Sequence, residues 1–464
     1  MFKLKQNNTT VRTELVAGIT TFMAMAYILM VNAGMFSTLG GDALGASYYN
    51  AVYIATAISA VFGTLLIGLL SNLPLAQASG MGLNAFFVYS VCIGMGFTYA
   101  NALVMVLVDG IVFLLLTVTG LRRLIFDAIP KAVKAAIAPG IGLFIAFLGL
   151  QNSGIVVNSD STLVDLHSFN IIFGHTTWAE IMPLLITIAA LIAIGAMSKK
   201  KIKGAVFWGI IGGAVLYYAL GLLTIDGFYA SNVQSKLSLN IIQPFRDFFN
   251  ISFGKVFTEG FNFSEYIAAN GVGSFAATFI ASMLAFCMVD MFDTLGTLYG
   301  ACSAGNLLDK DGNVPNMNKA MLADAAATCF GAVCGTSTVT TFVESSAGIA
   351  EGGKTGLSSV FTAAMFLAPI AALIPSCATA ASLIFVGILM IGGVKEIDWS
   401  DSSAAVPAFM TMAIMPFTYN ISYGIAFGLI SYIFIKLFTG KIKDISLSTW
   451  IIGILFAAMF FIAR

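Results

Sequence analysis

Charge is what this chain has least of. Only 9% of its 464 residues are charged while 59% are hydrophobic. A soluble domain carries about 25% charged residues, so the composition excludes a soluble fold and implies a polytopic, all-α membrane protein. The 22 basic and 22 acidic residues cancel. Zero net charge offers no electrostatic footprint for a nucleic-acid partner. Histidine is nearly missing: His167 and His175 share one polar loop and read as surface residues. The apolar segments therefore lack the nucleophile–base or metal cluster that a membrane enzyme needs. The six cysteines (Cys92, Cys287, Cys302, Cys329, Cys334, Cys377) show no paired spacing and read as small packing residues, with no disulfide framework, metal site or cofactor expected. Lys3, Lys5 and Arg12 precede the first apolar run without a cleavage site, so that run is expected to remain as a helix.

What is present is apolar sequence in spans. Segments of about the right length lie at 14–36, 50–70, 80–97, 100–120, 131–150, 179–198 and 204–223,. A second set lies at 265–299, 320–334, 337–352, 357–374, 376–394, 403–417 and 421–438. The run 449–463 is marginal, interfacial or tilted. Basic residues test this layout. With the N-terminus cytoplasmic, Arg122, Arg123, Lys131, Lys134, Lys199, Lys200, Lys201 and Lys203 also fall inside. The loop from Gln151 to Trp178 falls outside and has no Lys or Arg. Lys310, Lys319, Lys354, Lys395, Lys436, Lys441 and Lys443 fall inside, and only Lys236, Arg246 and Lys255 sit in a long outer loop. An odd number of spans per half forces two halves into opposite orientations. Ile129-Pro130 with Gly142 twelve residues on, and Ile374-Pro375 with Gly387 twelve residues on, mark the fifth segment of each half. The expectation is 14 segments as 7+7 inverted repeats, the architecture of many secondary transporters.

The third segment of each half is interrupted. Gln77–Asn84 carries Gly80 and Gly82, and Gly335–Glu344 is rich in hydroxyl and β-branched residues. Neither is a good helix. Each is expected to run extended to mid-membrane and then start a half-helix, placing Asn84 and Glu344 at two matching breaks. Irregular backbone at that depth must be buried in protein or line a cavity, which makes the breaks the pointer to a transport site. Asp290 and Asp293 share one face of the eighth segment by their i, i+3 spacing; Asp290 is read as meeting substrate and Asp293 as bracing the site. An intramembrane acid is a functional residue by default. Carboxylates and an amide without a neighbouring Lys or Arg disfavour an anion and suit a cation or a neutral ligand rich in N–H donors. Tyr27, Phe86, Phe87, Phe292 and Phe342 are available to stack on a planar ring, and Thr341 lies beside Glu344. A buried carboxylate can take up and release a proton, so H+ is the expected coupling ion, although Na+ uses similar groups. Asp309–Asn313 lacks the Gly and Glu of a calcium loop, and Gly352–Thr355 lacks the strand of a phosphate loop; both read as turns.

GITTFMAMAYILMVN (18–32), SGMGLNAFF (79–87), MVDMFDTLGTL (288–298) and GTSTVTTFVESSAGIAEGGKTG (335–356) together resemble the nucleobase:cation symporter family, the xanthine/uracil permease superfamily. They resemble its adenine–guanine–hypoxanthine branch, because Glu344-Ser345-Ser346-Ala347 departs from the Gln/Glu-Asn-x-Gly signature of the uracil, xanthine and ascorbate branch. The resemblance implies a core domain (1–120 and 241–375), a gate domain (121–240 and 376–438) and a C-terminal tail with an apolar helix (439–464). It also implies short strands in the third and tenth spans and a homodimer through the gate. Carried over by position, purine contacts fall on Asn84, Asp290 and Glu344, with Phe86 and Thr341 beside them and Asp293 in support. Thr20, Thr21 and Tyr27 match the first-span motif. The implied activity is import of purine bases across the cell membrane by proton symport. Guanine and hypoxanthine, which present N1–H to an ionised Glu344, rank ahead of adenine, which presents an acceptor. The alternatives are a uracil or xanthine permease of the same fold, an anion transporter, or a channel.

Overall fold

The computed structural model describes residues 2–119, 129–171, 174–202, 205–231, 242–367 and 375–462. Arg122, Arg123, Lys203, Lys236 and Ile374 lie outside the described residues, as do the expected boundaries at 120/121 and 240/241. The chain is mostly helical. In order it forms α1 (Val11–Met25), α2 (Tyr27–Ser37), α3 (Gly41–Ser71), β1 (Gln77–Ser79), α4 (Met81–Gly94), α5 (Tyr99–Val118) and α6 (Lys131–Asn152). A hairpin, β2 (Val156–Ser159) and β3 (Leu163–Leu166), precedes α7 (Trp178–Lys199) and α8 (Ala205–Thr224). Then come α9 (Ser264–Ala304), α10 (Met317–Cys334), β4 (Val339–Thr341), α11 (Ser345–Ala350), α12 (Gly356–Phe366), α13 (Ser376–Met390), α14 (Ser402–Thr418), α15 (Ile421–Phe438) and α16 (Leu447–Ile462). Among the described residues nine helices are long and apolar enough to cross a membrane. The segment expected at 265–299 is broken at Gly271, whose backbone is non-helical (φ 81, ψ 159), so its spanning part is Thr278–Ala304. His175 is exposed and His167 half-buried, both between α6 and α7.

The two interrupted segments meet. β1 and β4 pair antiparallel with Gln77 opposite Thr341, Ala78 opposite Thr340 and Ser79 opposite Val339. A two-stranded sheet in an apolar interior leaves two edges of unpaired backbone groups. Hydroxyls fill them: Thr64 accepts from the Gln77 N–H and donates to the Gln77 carbonyl, Thr328 donates to Val339 O, and Ser345 accepts from the Ala76 N–H. That is why the apolar segments here are rich in Ser and Thr. Gly80 ends β1 because a Cβ there would lie 2.7 Å from Thr340 Cγ2.

The two helices opened by Pro130 and Pro375 pack on each other. A Cβ on Gly142 would lie 2.8 Å from Gly387 O, and one on Gly387 would lie 2.5 Å from Gly142 O. Gly149 meets Ala380 and Ile384 in the same way, so α6 and α13 cross antiparallel with the backbones in contact. Adding a side chain at either glycine would force the helices apart. The C-terminal helix joins the bundle: Phe456 is fully buried against Phe292, ring centroids 4.5 Å apart.

Candidate functional site

The break between α1 and α2 falls at Ala26, so Tyr27 opens a new helix and turns its ring inward. Its hydroxyl donates to Glu344 Oε1 at 2.5 Å. Glu344 stands just before the six-residue helix α11 and is 3% exposed. Its carboxylate is thus held by a side chain from a segment more than 300 residues away in sequence. Together they wall a cavity of about 60 Å³. Gly80–Gly82, Thr340–Val343 and, on α9, Asp293 and Thr297 complete that side. The facing side is Phe144 and Leu148 of α6 with Tyr419 and Ile421 from the turn between α14 and α15.

That turn is tightly built. Tyr419 has left-handed backbone (φ 57) after Pro416, and Asn420 caps α15 by accepting from the Tyr423 N–H. Tyr419 stacks edge-on against Phe144 at 5.5 Å, so two aromatic rings face the carboxylates across the cavity. Ser422, the second residue of α15, donates its N–H (3.2 Å) to Asp293 Oδ1, and its Oγ lies 2.8 Å from the same oxygen.

Of the residues singled out from sequence, Glu344, Thr341 and Asp293 line this cavity; Asn84, Asp290 and Phe86 do not. Asn84 is fully buried one turn into α4, its Nδ2 donating to Ser79 O at 3.3 Å while its Oδ1 makes no hydrogen bond among the described residues. Asp290 is fully buried one turn before Asp293 on α9. Phe86 packs edge-on to Phe286 at 5.0 Å. Of the candidate stacking rings, Tyr27 and Phe342 reach the cavity, whereas Phe87 packs on Phe36 and Phe292 on Phe456. Thr20 donates to Val16 O, and Thr21 packs under Gly348.

Sequence reasoning missed Tyr419, Phe144, Thr297 and Ser422, which lie at helix ends or on apolar faces and carry no signal of their own. It also missed Asp324. This carboxylate, fully buried on α10, accepts from Thr294 Oγ1 (2.9 Å) and Gln77 Nε2 (3.2 Å), while Thr294 bonds Thr340 Oγ1 at 2.7 Å. The network braces β1 and β4 from behind. An acid inside an apolar run was the signal that could have found it.

The lining combines two carboxylates, phenol and threonine hydroxyls and aromatic walls, with no Lys, Arg or His among them. It offers acceptors to N–H donors and flat surfaces to a ring, and no counter-charge to an anion.

A family model described as a permease family matches residues 12–427. The guanine/hypoxanthine permease PbuO of Bacillus subtilis is 36% identical over the full length of both chains. The adenine permease AdeP of Escherichia coli is 34% identical over 98% of this chain and 94% of its own. The transmembrane domain of a cyanobacterial bicarbonate transporter, BicA, superposes with a TM-score of 0.47 at 16% identity, over 92% of this chain and 98% of that one. The chain belongs to the xanthine/uracil permease family, in the branch of the adenine and guanine/hypoxanthine permeases, and its relatives are transporters rather than enzymes.

Proposed function

We propose that this protein imports purine nucleobases, guanine and hypoxanthine ahead of adenine, by proton symport. The observation that carries the reading is the pair of carboxylates, Glu344 and Asp293, facing Phe144 and Tyr419 across one cavity without a basic residue. Tyr27 occupies one oxygen of Glu344. The second oxygen is left to accept the N1–H of an oxopurine, with the ring between Phe342 and Tyr419. The unsatisfied Asn84 Oδ1 one turn behind Gly80 and the buried Asp290 complete the contacts when the site closes on its ligand. Thr341 shapes the floor, and Phe86 supports it from behind through its contact with Phe286.

In this reading the carboxylate wall belongs to a core (1–120 and 241–375), the aromatic wall to a gate (121–240 and 376–438), and 439–464 to a C-terminal tail. Fourteen segments form two inverted repeats of seven, a layout supported by the β1–β4 pairing and the antiparallel Gly142–Gly387 contact. Alternating access moves core against gate around the site. The cell membrane with a cytoplasmic N-terminus, and a homodimer through the gate, belong to the same proposal.

The test is uptake of labelled guanine, hypoxanthine, adenine, xanthine and uracil in cells lacking their own permeases, with and without an uncoupler. Purine accumulation that the uncoupler abolishes is expected, and Glu344→Gln should abolish it with protein still in the membrane. Accumulation of none of the purines overturns the reading; accumulation of uracil or xanthine alone moves the chain to the other branch.

A further inference from the structure

Two acids flank the half-helix α11, Glu344 before its first residue and Glu351 after its last. An acid at a helix C-terminus faces the negative end of its own helix. Glu351 is compensated by a second helix instead. Its Oε1 accepts from the Val206 N–H at 2.5 Å and the Phe207 N–H at 3.2 Å, first-turn groups of α8 that a helix cannot satisfy by itself. The two partners are fixed to different surroundings. On its own side Glu351 is held to α1. A Cβ on Gly348 would lie 2.4 Å from Ala17 O, and Glu14 of α1 accepts from the N–H groups of Lys354 and Thr355 at 3.1 and 3.3 Å. On the other side α8 is held to α7 and α13. A Cβ on Gly209 would lie 2.1 Å from Ile194 Cγ1, and one on Gly213 would lie 3.3 Å from Ala378 Cβ.

We infer that Glu351 is a latch between core and gate, closed in this structure and broken once in each transport cycle. The inference rests on the core-and-gate reading above, in which α1 and α11 belong to the core and α7, α8 and α13 to the gate. A hydrogen bond fails beyond about 3.5 Å between heavy atoms, so sliding α8 past α1 by more than about 1 Å breaks both bonds. Neither side can follow the other. Glu351 is pinned by the close contacts of Gly348 and by Glu14, and the head of α8 by the packing of Gly209 and Gly213. The half-helix α11 thus carries the cavity carboxylate of Glu344 at one end and the gate contact of Glu351 at the other. Opening the latch also uncovers Val206, which is 2% exposed while the bonds are in place.

The experiment uses the full chain and has two arms. In the first, Val206→Cys is labelled with a maleimide in detergent, and the six native cysteines, four of them buried, give a background measured on the wild-type chain. Adding Glu351→Ala should speed labelling roughly tenfold, the shift expected for losing a hydrogen bond to a charged group. Glu351→Gln, which keeps an acceptor oxygen, should stay within about threefold of the parent. In the second arm, Glu351→Cys and Phe207→Cys are joined by a short, reducible thiol cross-linker in cells lacking their own permeases. Uptake of labelled hypoxanthine should stop on cross-linking and return on reduction, a loss that a merely structural contact would not give. Labelling of the Glu351→Ala chain at the parent rate, or undiminished uptake by the cross-linked pair, overturns the inference. Wild type that takes up no hypoxanthine overturns instead the purine reading beneath it, and the labelling arm, which needs no substrate, still decides the latch.

Discussion

Replacing Tyr27 by Phe removes one hydroxyl and nothing else from the ring. The structure makes the consequence calculable. The hydroxyl donates to Glu344 Oε1 at 2.5 Å, and Glu344 is only 3% exposed, so bulk water cannot take its place cheaply. A hydrogen bond to a charged group contributes about 1.5–3 kcal/mol. At about 1.4 kcal/mol per factor of ten, its loss corresponds to roughly a 10- to 150-fold weaker apparent affinity, if the bond is what aims the carboxylate at the ligand. The assay is the concentration dependence of labelled hypoxanthine uptake in permease-deficient cells, normalised to the amount of protein in the membrane. Half-saturation should rise by that factor while the folded amount stays unchanged, since the ring keeps its packing. A half-saturation within about twofold of wild type would refute the claim that Tyr27 orients Glu344, because a hydrogen bond in a site this buried cannot be removed for so little.

Three further substitutions test the scaffold. Gly348→Ala would place a Cβ 2.1 Å from Thr21 Oγ1 and 2.4 Å from the Ala17 carbonyl; backbone cannot rotate away, so about 1–3 kcal/mol of destabilisation and less folded protein in detergent size-exclusion profiles are expected. Thr294→Val keeps the shape but strips Asp324 of its hydroxyl donor; a loss of about 1–3 kcal/mol should lower the melting temperature in detergent, and an unchanged melt would show that the network is not structural. Glu351 accepts from the N–H groups of Val206 and Phe207 at the head of α8. Glu351→Ala should therefore cost about 0.3–2 kcal/mol by exposing that helix start. Faster amide exchange at the first turn of α8 would report it, and exchange equal to wild type would contradict it.

The parts of the site legible in sequence are those where a polar residue has no business being apolar. Glu344 and the hydroxyl run before it stood out because every such group is costly in hydrocarbon, and the strands at Gln77–Ser79 and Val339–Thr341 follow from glycine and β-branched residues in segments too short and irregular for helix. The Pro–Gly spacing shared by 130–142 and 375–387 marked two helices whose glycines turn out to touch each other. The division of labour between Asp290 and Asp293 was not legible. Three residues on a helix differ by about 60° in direction, and that angle sends Asp293 to the cavity wall and leaves Asp290 fully buried. Tyr27 was legible as an aromatic ring but not as a hydrogen-bond donor, because its acceptor lies 317 positions away. Tyr419 and Ser422 looked like a turn between two apolar helices; only the three-dimensional closure of that turn onto α9 gives them partners.

The central claim is that Glu344 and Asp293 serve a proton-coupled purine carrier. It is tested most directly by labelled guanine and hypoxanthine in proteoliposomes of the purified protein, with an imposed proton gradient that is then collapsed. Accumulation above the external concentration, lost when the gradient is collapsed and absent in Glu344→Gln, is the predicted result. Equilibration without accumulation, or accumulation indifferent to the gradient, would contradict it.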